Sequence, residues 1–573
     1  MASFIKLILF CFSNVGFWEI IRRHSKIHVY FLPSLTIAFQ TVLLFFAGLL
    51  NFLPEMVLFL YLMGFFGLGC YLYKDRNFSL FKTYMKTGFV FLAIVSGIML
   101  IFLRGKVFAS YDNFSHWALV VREMLETNRF PNFTDTIITF TEYPLGSSSY
   151  IYYFSKLISP SESIQMMAQV YMMLSCIIPL FVFAKKNVLA ATAVILAATN
   201  FFFVYNIRTT ELLVDTLLPL VGMCGLLFAY FACWKSDEKI NYFYAALYVV
   251  QLIQIKNSGI FFAVLISILM AASIKKNRES MMALISILLP YVSLLLWQKH
   301  CAYVFAESEV SKHAMTAENY SAVFGMKTAE EIRMICAAML KFTLTWKDVW
   351  LTGIFILLTG LLVWCFAPKV RRIFIRLTVL SAIIYIIYQA GMLGMYLFSM
   401  PGKEATSLAS VERYTKTILI AILYMMLISV IRTISCARLK KVHIPIAAAI
   451  FGGFLCFLYF SGGVIHTALD YSDNASERKW IESAKEDYAV PDGKSYCILI
   501  PKEDGRYTYY LGKYIFRSGN ISTFVADTVE GLEKITEEYI FVYDQENPIV
   551  TEWIQNNYPE QYGNQVIVRG ENK

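Results

Sequence analysis

Residues 242–274 read YFYAALYVVQLIQI, then KNSG, then IFFAVLISILMAASI. Two apolar runs flank a polar turn. Basic residues close both outer ends, Lys235 and Lys239 before, Lys275, Lys276 and Arg278 after. Such runs mark helices in lipid, where about 20 apolar residues cross the hydrocarbon core. Both basic flanks belong on one side, so the chain enters and returns within 33 residues. At about 1.5 Å per residue, helices of this length climb only about 21–25 Å. The turn Lys256-Asn257-Ser258-Gly259 therefore lies below the far membrane surface. A lysine at that depth is costly unless it meets an anion or a water-filled cavity.

The same reading extends along the chain. Of 573 residues, 58% are hydrophobic and 16% charged, below the roughly 25% charged of soluble domains. Spans are predicted at 28–50, 54–73, 84–103, 163–184, 188–206, 211–234, 242–255, 258–274, 280–298, 349–367, 373–398, 414–431 and 443–462, about thirteen in all. Basic clusters at Arg22/Arg23, Lys74/Arg76/Lys82, Lys185/Lys186, Lys235/Lys239, Lys275/Lys276/Arg278, Lys369/Arg371/Arg372 and Arg438/Lys440/Lys441 then fall on one side. By the positive-inside rule that side is cytoplasmic, as is the N-terminus, and the C-terminus is outside. The net charge of +9 is thus a topology signal and no argument for nucleic acid. Phe4 to Ile21, interrupted and followed by Arg22, Arg23 and Lys26, reads as an interfacial helix. A signal peptide is the alternative, but no small-residue cleavage site follows. The eleven cysteines show no metal-ligand or CxxC spacing. Cys301 and Cys336 share an outer loop, as free thiols or as a disulfide, with free thiols favoured.

The expected architecture is a polytopic α-helical membrane domain, 1–463, with outer loops 104–162 and 299–348. A small extracytoplasmic α/β domain follows at 464–573. Its strand-like runs are Tyr496–Ile500, Tyr539–Tyr543 and Val566–Val568. Its helical runs are Ser476–Tyr488, Val529–Glu538 and Val550–Tyr558. No Gly-rich phosphate loop joins a strand to a helix there, so nucleotide binding is unsupported.

Four clusters could carry chemistry. In Tyr111-Asp112-Asn113-Phe114-Ser115-His116-Trp117, residues Phe114, Trp117, Val121, Met124 and Leu125 share a helical face. His116, Arg122, Glu123 and Glu126 lie off it, as in a helix resting on the membrane. Asp112 is then an N-cap, a general base, or both. Glu142-Tyr143-Pro144-Leu145-Gly146 is a chain-breaking turn, with Glu142 and Tyr143 open to a substrate role. Arg208, Glu211 and Asp215 follow i, i+3, i+7 spacing, one face of a helix. An Arg208–Glu211 ion pair accounts for two of them, but Asp215 lies deeper and must face a cavity or partner. Finally, Arg413 and Lys416 in Glu412-Arg413-Tyr414-Thr415-Lys416 are one turn apart at a span start. Such cations either snorkel or clamp a lipid phosphate.

In this order, the residues resemble the GT-C superfamily of integral membrane glycosyltransferases, which includes protein O-mannosyltransferases and the lipid A aminoarabinose transferase. The stretches Asp112 to Trp117 and Tyr143-Pro144-Leu145-Gly146 are similar to the loop pattern of bacterial members. Leu145 stands where many have a second proline. The Lys256 to Gly259 turn and Glu412-Arg413-Tyr414 add to the likeness, which covers the chain up to about residue 463. The resemblance implies transfer of a sugar from a polyprenyl-phosphate donor to an extracytoplasmic glycan, lipid or protein, at a bacterial plasma membrane. It implies Asp112 as the base, with inversion, and Arg413, Lys416 and Lys256 on the phosphate. His116, Glu142, Tyr143, Arg208, Glu211 and Asp215 line the cavity. Some members use a divalent metal, for which Asp112, Glu142 and Asp215 are the available carboxylates. A transporter or flippase of a lipid-linked saccharide also wants buried Asp215 and Lys256, but no internal repeat is seen. A polysaccharide polymerase or ligase, using diphosphate donors, is the third reading.

Overall fold

The computed structural model describes residues 2–74, 79–235, 238–277, 281–306, 317–436, 453, 468–469 and 476–569. The chain divides into two compact units. The first holds Met1–Gly105, Glu142–Tyr303 and Val310–Tyr471, and the second Lys106–Thr141, Val304–Glu309 and Ser472–Lys573.

Among the described residues, 11 helices are long and apolar enough to cross a membrane, all in the first unit but for Val304, the last residue of Met281–Val304. Thr87–Leu103 and Ile240–Ile255 are shorter apolar helices. The expected span 443–462 lies outside the described residues, Gly453 apart. The most apolar 18-residue stretches of Glu162–Phe183 and Val411–Cys436 are enclosed, 89% and 83% buried, whereas that of Ala329–Phe366 is only 22% buried. From Trp350 on, the exposed surface of this last helix is apolar, with Ile354, Leu357 and Leu361 turned outward, whereas Arg333, Lys341 and Lys347 are exposed before it. Such a surface suits hydrocarbon rather than water.

Three features differ from the sequence reading. Residues expected at the interface form the helix Ala2–His24, and Ser3–His24 is one of the 11 candidate spans. The polar residues that interrupt its hydropathy are buried and partnered. Ser13 Oγ donates to the Tyr61 carbonyl at 2.9 Å, and Glu19 accepts from Arg22 and from the Tyr84 hydroxyl, both at 2.6 Å. The expected second outer loop carries the helices Ala317–Gly325 and Ala329–Thr345, the latter opened by a Thr328–Glu331 capping box. Cys301 and Cys336 are free thiols. The third difference, at residues 206–216, bears on the site below.

The second unit is an α/β domain. Four strands, β1 (Tyr496–Leu499), β2 (Ile521–Phe524), β3 (Tyr539–Val542) and β4 (Val566–Val568), lie in the order β2-β1-β3-β4. The first three pair in parallel, and β4 closes the edge antiparallel to β3. β2 and the helix Tyr507–Phe516 were not expected. The 529–538 helix is cut to Val529–Leu532. Alternate residues of β1 and β3 (Cys497, Leu499, Ile540, Val542) pack with Val550, Trp553 and Ile554 of Pro548–Asn557. Residues 106–141 belong to this unit too, through contacts with the helices Ser476–Asp487 and Tyr507–Phe516.

Candidate functional site: a cation cluster around two buried carboxylates

The helix Val188–Tyr205 ends at Tyr205, and the next begins only at Leu217. Residues 206–216 between them are irregular, so Arg208, Glu211 and Asp215 do not share a helix face. Thr209, Thr210 and Asp215 favour local side-chain bonding over helix. Buried irregular backbone must find partners in the protein, and side chains supply them. Gln169 Nε2 donates to the carbonyls of Glu211 (2.9 Å) and Leu213 (3.2 Å). The Thr216 hydroxyl accepts from Ile207 N at 3.1 Å. The Asp215 carbonyl accepts from Thr417 Oγ1 at 3.1 Å and Asn206 Nδ2 at 3.4 Å. Arg208 is exposed, and its carbonyl accepts from Glu211 N at 3.1 Å, closing a turn.

A second break meets the first. The helices Ile240–Ile255 and Ile260–Asn277 are joined by extended Lys256 and a tight turn, Asn257–Gly259, as the sequence indicated. Glycine is required at 259: a Cβ there would lie 2.0 Å from the Leu252 carbonyl oxygen. At Gly146, the start of the helix Gly146–Ile158, a Cβ would lie 2.7 Å from the Gln254 carbonyl oxygen. The Tyr143-Pro144-Leu145-Gly146 turn thus packs against the helix end that carries Lys256.

Lys256 Nζ lies 2.7 Å from Asp215 Oδ1, and Arg413 Nε lies 3.8 Å from Asp215 Oδ2. Arg413 is in the first turn of the helix Val411–Cys436. Both cations stand beside the Tyr414 ring, 5.1 and 5.3 Å from its centre. One turn on, Lys416 Nζ is 4.0 Å from Asp348 Oδ2 and 5.1 Å from the Tyr205 ring centre. The two carboxylates are sealed, at 3% and 1% side-chain exposure, whereas Arg413 keeps 27% and Lys416 23%. Asp215 and Asp348 thus lie behind Arg413 and Lys416, and Glu412, which acts on Asp348 through its charge, is the exposed carboxylate beside them.

Asp348 is the member that sequence reading missed. It lies in the first turn of the helix Lys347–Phe366, beside Lys347. At a span end, next to a lysine, an acid looks like ordinary surface charge. Glu142 and Tyr143 are half-buried. The Glu142 carbonyl accepts from Trp297 Nε1 at 3.1 Å, and burial pushes its carboxyl above the usual range.

Asp112 and His116 belong to the second unit. Asp112 is half-buried and immediately precedes a π-helical turn, Asn113–Trp117, to which its side chain makes no capping hydrogen bond. π-turns inside helices are frequent at functional sites. His116, expected off the apolar face, is buried with its ring edge-on to Trp117 (5.0 Å) and Phe140 (6.2 Å). Glu123 is buried as well, 3.4 Å from Arg517. Of the residues expected off the apolar face, His116 and Glu123 are thus buried, Arg122 half-buried and Glu126 exposed.

No protein-family model matches this chain, and no curated protein does. Its own residues must carry the functional argument. Among the described residues no three His, Cys, Asp or Glu side chains gather as metal ligands. Asp215 is taken up by Lys256 and Arg413 and so is not open to a metal ion.

Proposed function

We propose that the chain is a membrane glycosyltransferase of the GT-C kind, moving a sugar from a polyprenyl-phosphate donor to an extracytoplasmic acceptor. The observation that carries this reading is the cation cluster. Lys256, Arg413 and Lys416, with Lys347 beside Asp348, outnumber Asp215, Asp348 and the exposed Glu412 four to three. That is what an anionic headgroup needs, and an arginine fork suits a phosphate well. The charge developing on a leaving phosphate is stabilised by cations already in place.

In the reaction, the acceptor's hydroxyl or amine attacks the anomeric carbon and gives its proton to the Asp112 carboxylate. The bond from that carbon to the phosphate oxygen breaks, and its electron pair leaves with the polyprenyl phosphate. Inversion follows because attack and departure use opposite faces of the sugar. The basic connections place the tail outside the cytoplasm in this reading.

One observation favours a second reading. A buried Asp–Lys pair between interrupted helices also suits a carrier, here a flippase of a lipid-linked saccharide. A flippase moves the donor intact, whereas a transferase releases polyprenyl phosphate; a polymerase or ligase would release the diphosphate. The phosphate site is tested with undecaprenyl phosphate as the probe, bound to the purified protein in nanodiscs. Arg413→Ala is expected to weaken binding about tenfold or more, the scale of a charged hydrogen bond, with folding retained. Unchanged affinity places the phosphate elsewhere.

A further inference from the structure

The geometry points to Arg478 and Tyr507 of the tail as positioning residues for Asp112. This rests on the reading of Asp112 as the base.

Residues 106–110 leading into Asp112 have no regular structure; of their carbonyls, that of Ser110 accepts from Asn113 N at 3.1 Å. Two consecutive ones are taken by the tail. Arg478, on the helix Ser476–Asp487, donates through NH1 to the Phe108 carbonyl at 2.7 Å. Tyr507, opening the helix Tyr507–Phe516, donates through its hydroxyl to the Ala109 carbonyl at 3.0 Å. Arg478 is only 4% exposed. The cost of burying its charge is offset by Glu482, 2.9 Å away, and by the rings of Phe114 and Tyr514 at 5.9 and 5.6 Å.

The residues around Asp112 are held by the same two helices. Tyr111 packs edge-on against Tyr510 at 5.2 Å, and Phe114 meets Tyr507 and Tyr514 at 5.8 and 5.2 Å. Farther along, Arg122 donates to the Tyr514 carbonyl at 2.6 Å, and Arg517 pairs with Glu123 at 3.4 Å and Glu126 at 3.7 Å. Aromatic packing alone would bury this loop. The two hydrogen bonds do more: they fix the direction in which the backbone enters Asp112 three residues later. A base displaced by about 1 Å loses about 10²-fold in rate. The tail thereby acts on catalysis without touching substrate.

The test uses the full chain in nanodiscs. The probes are undecaprenyl-phosphate glucose and mannose with a cell-envelope extract as acceptor, and released undecaprenyl phosphate is measured. Tyr507→Phe keeps the ring and removes only the hydroxyl. It is expected to lower kcat about tenfold with the donor KM unchanged, and to speed amide exchange across residues 108–117. Arg478→Met, which keeps the side-chain stem, is expected to lower kcat about 10²-fold, with Arg478→Lys recovering part of the loss. A purely structural contact would lower the thermal midpoint and leave kcat per folded molecule intact. Full kcat in folded Tyr507→Phe, or unchanged exchange at 108–117, overturns the inference. If Arg478→Met does not fold, Tyr507→Phe decides. Asp112→Asn is run alongside: retained transfer there defeats the base itself. Lost transfer there with full kcat in both tail variants defeats only the positioning role.

Discussion

Lys256 and Asp215 each stand where a lone charge could not. Lys256 carries 11% side-chain exposure and Asp215 3%. Removing one partner of a buried pair leaves the other uncompensated, at about 3–5 kcal/mol. Lys256→Met should therefore lower stability strongly, since Arg413 at 3.8 Å only partly replaces the ammonium. The double variant Lys256→Met, Asp215→Asn should recover most of the loss. Thermal unfolding of the purified variants checks this; a single variant as stable as wild type, or a double variant no better than the single, contradicts it. Both residues were legible from depth alone, because a charge inside an apolar run demands a reason. Their pairing was not, since they lie 41 positions apart and only the meeting of two chain breaks joins them. Asp348 was illegible because at a span end nothing distinguishes it from ordinary interfacial charge.

At the scale of elements, long apolar runs announced themselves, and so did the short pair on either side of Lys256. Errors came where polar residues are buried. Ser13, Asn14 and Glu19 made the helix Ala2–His24 look too interrupted to span, yet all three are inside. Conversely, the helical spacing of Arg208, Glu211 and Asp215 suggested regular structure that the surrounding side chains replace, because Gln169, Asn206 and Thr417 satisfy an irregular backbone. The sidedness of the helices rests on the basic connections. It predicts that an impermeant thiol reagent labels a cysteine placed at Ser476 in intact cells, but not one placed at Lys275. The opposite pattern reverses the orientation. A cysteine at Ala2 adds a check on whether Ala2–His24 spans, which would move the N-terminus outside.

In the molecule as a whole, residues 106–141 and 472–573 share one compact unit although more than three hundred residues separate them. Composition showed an α/β tail and periodicity showed a helical loop. Neither could show that Arg478 and Tyr507 reach the loop's carbonyls, since long-range hydrogen bonds leave no local pattern. The π-turn after Asp112 was equally hidden, because helical spacing does not separate a π-turn from an α-turn over five residues.

If Asp112 takes the acceptor's proton, replacing it with asparagine removes sugar transfer and little else. Asparagine keeps the shape of aspartate and caps a helix as well, so normal expression is the expected background for the test. An amide cannot accept the proton, and loss of a general base costs about 10²–10⁴-fold. The measurement is single-turnover release of undecaprenyl phosphate from bound donor by Asp112→Asn, beside its affinity for the donor. Normal expression, unchanged donor affinity and transfer reduced at least about 10²-fold are expected. Transfer near the wild-type rate would contradict Asp112 as the base and turn attention to Glu142.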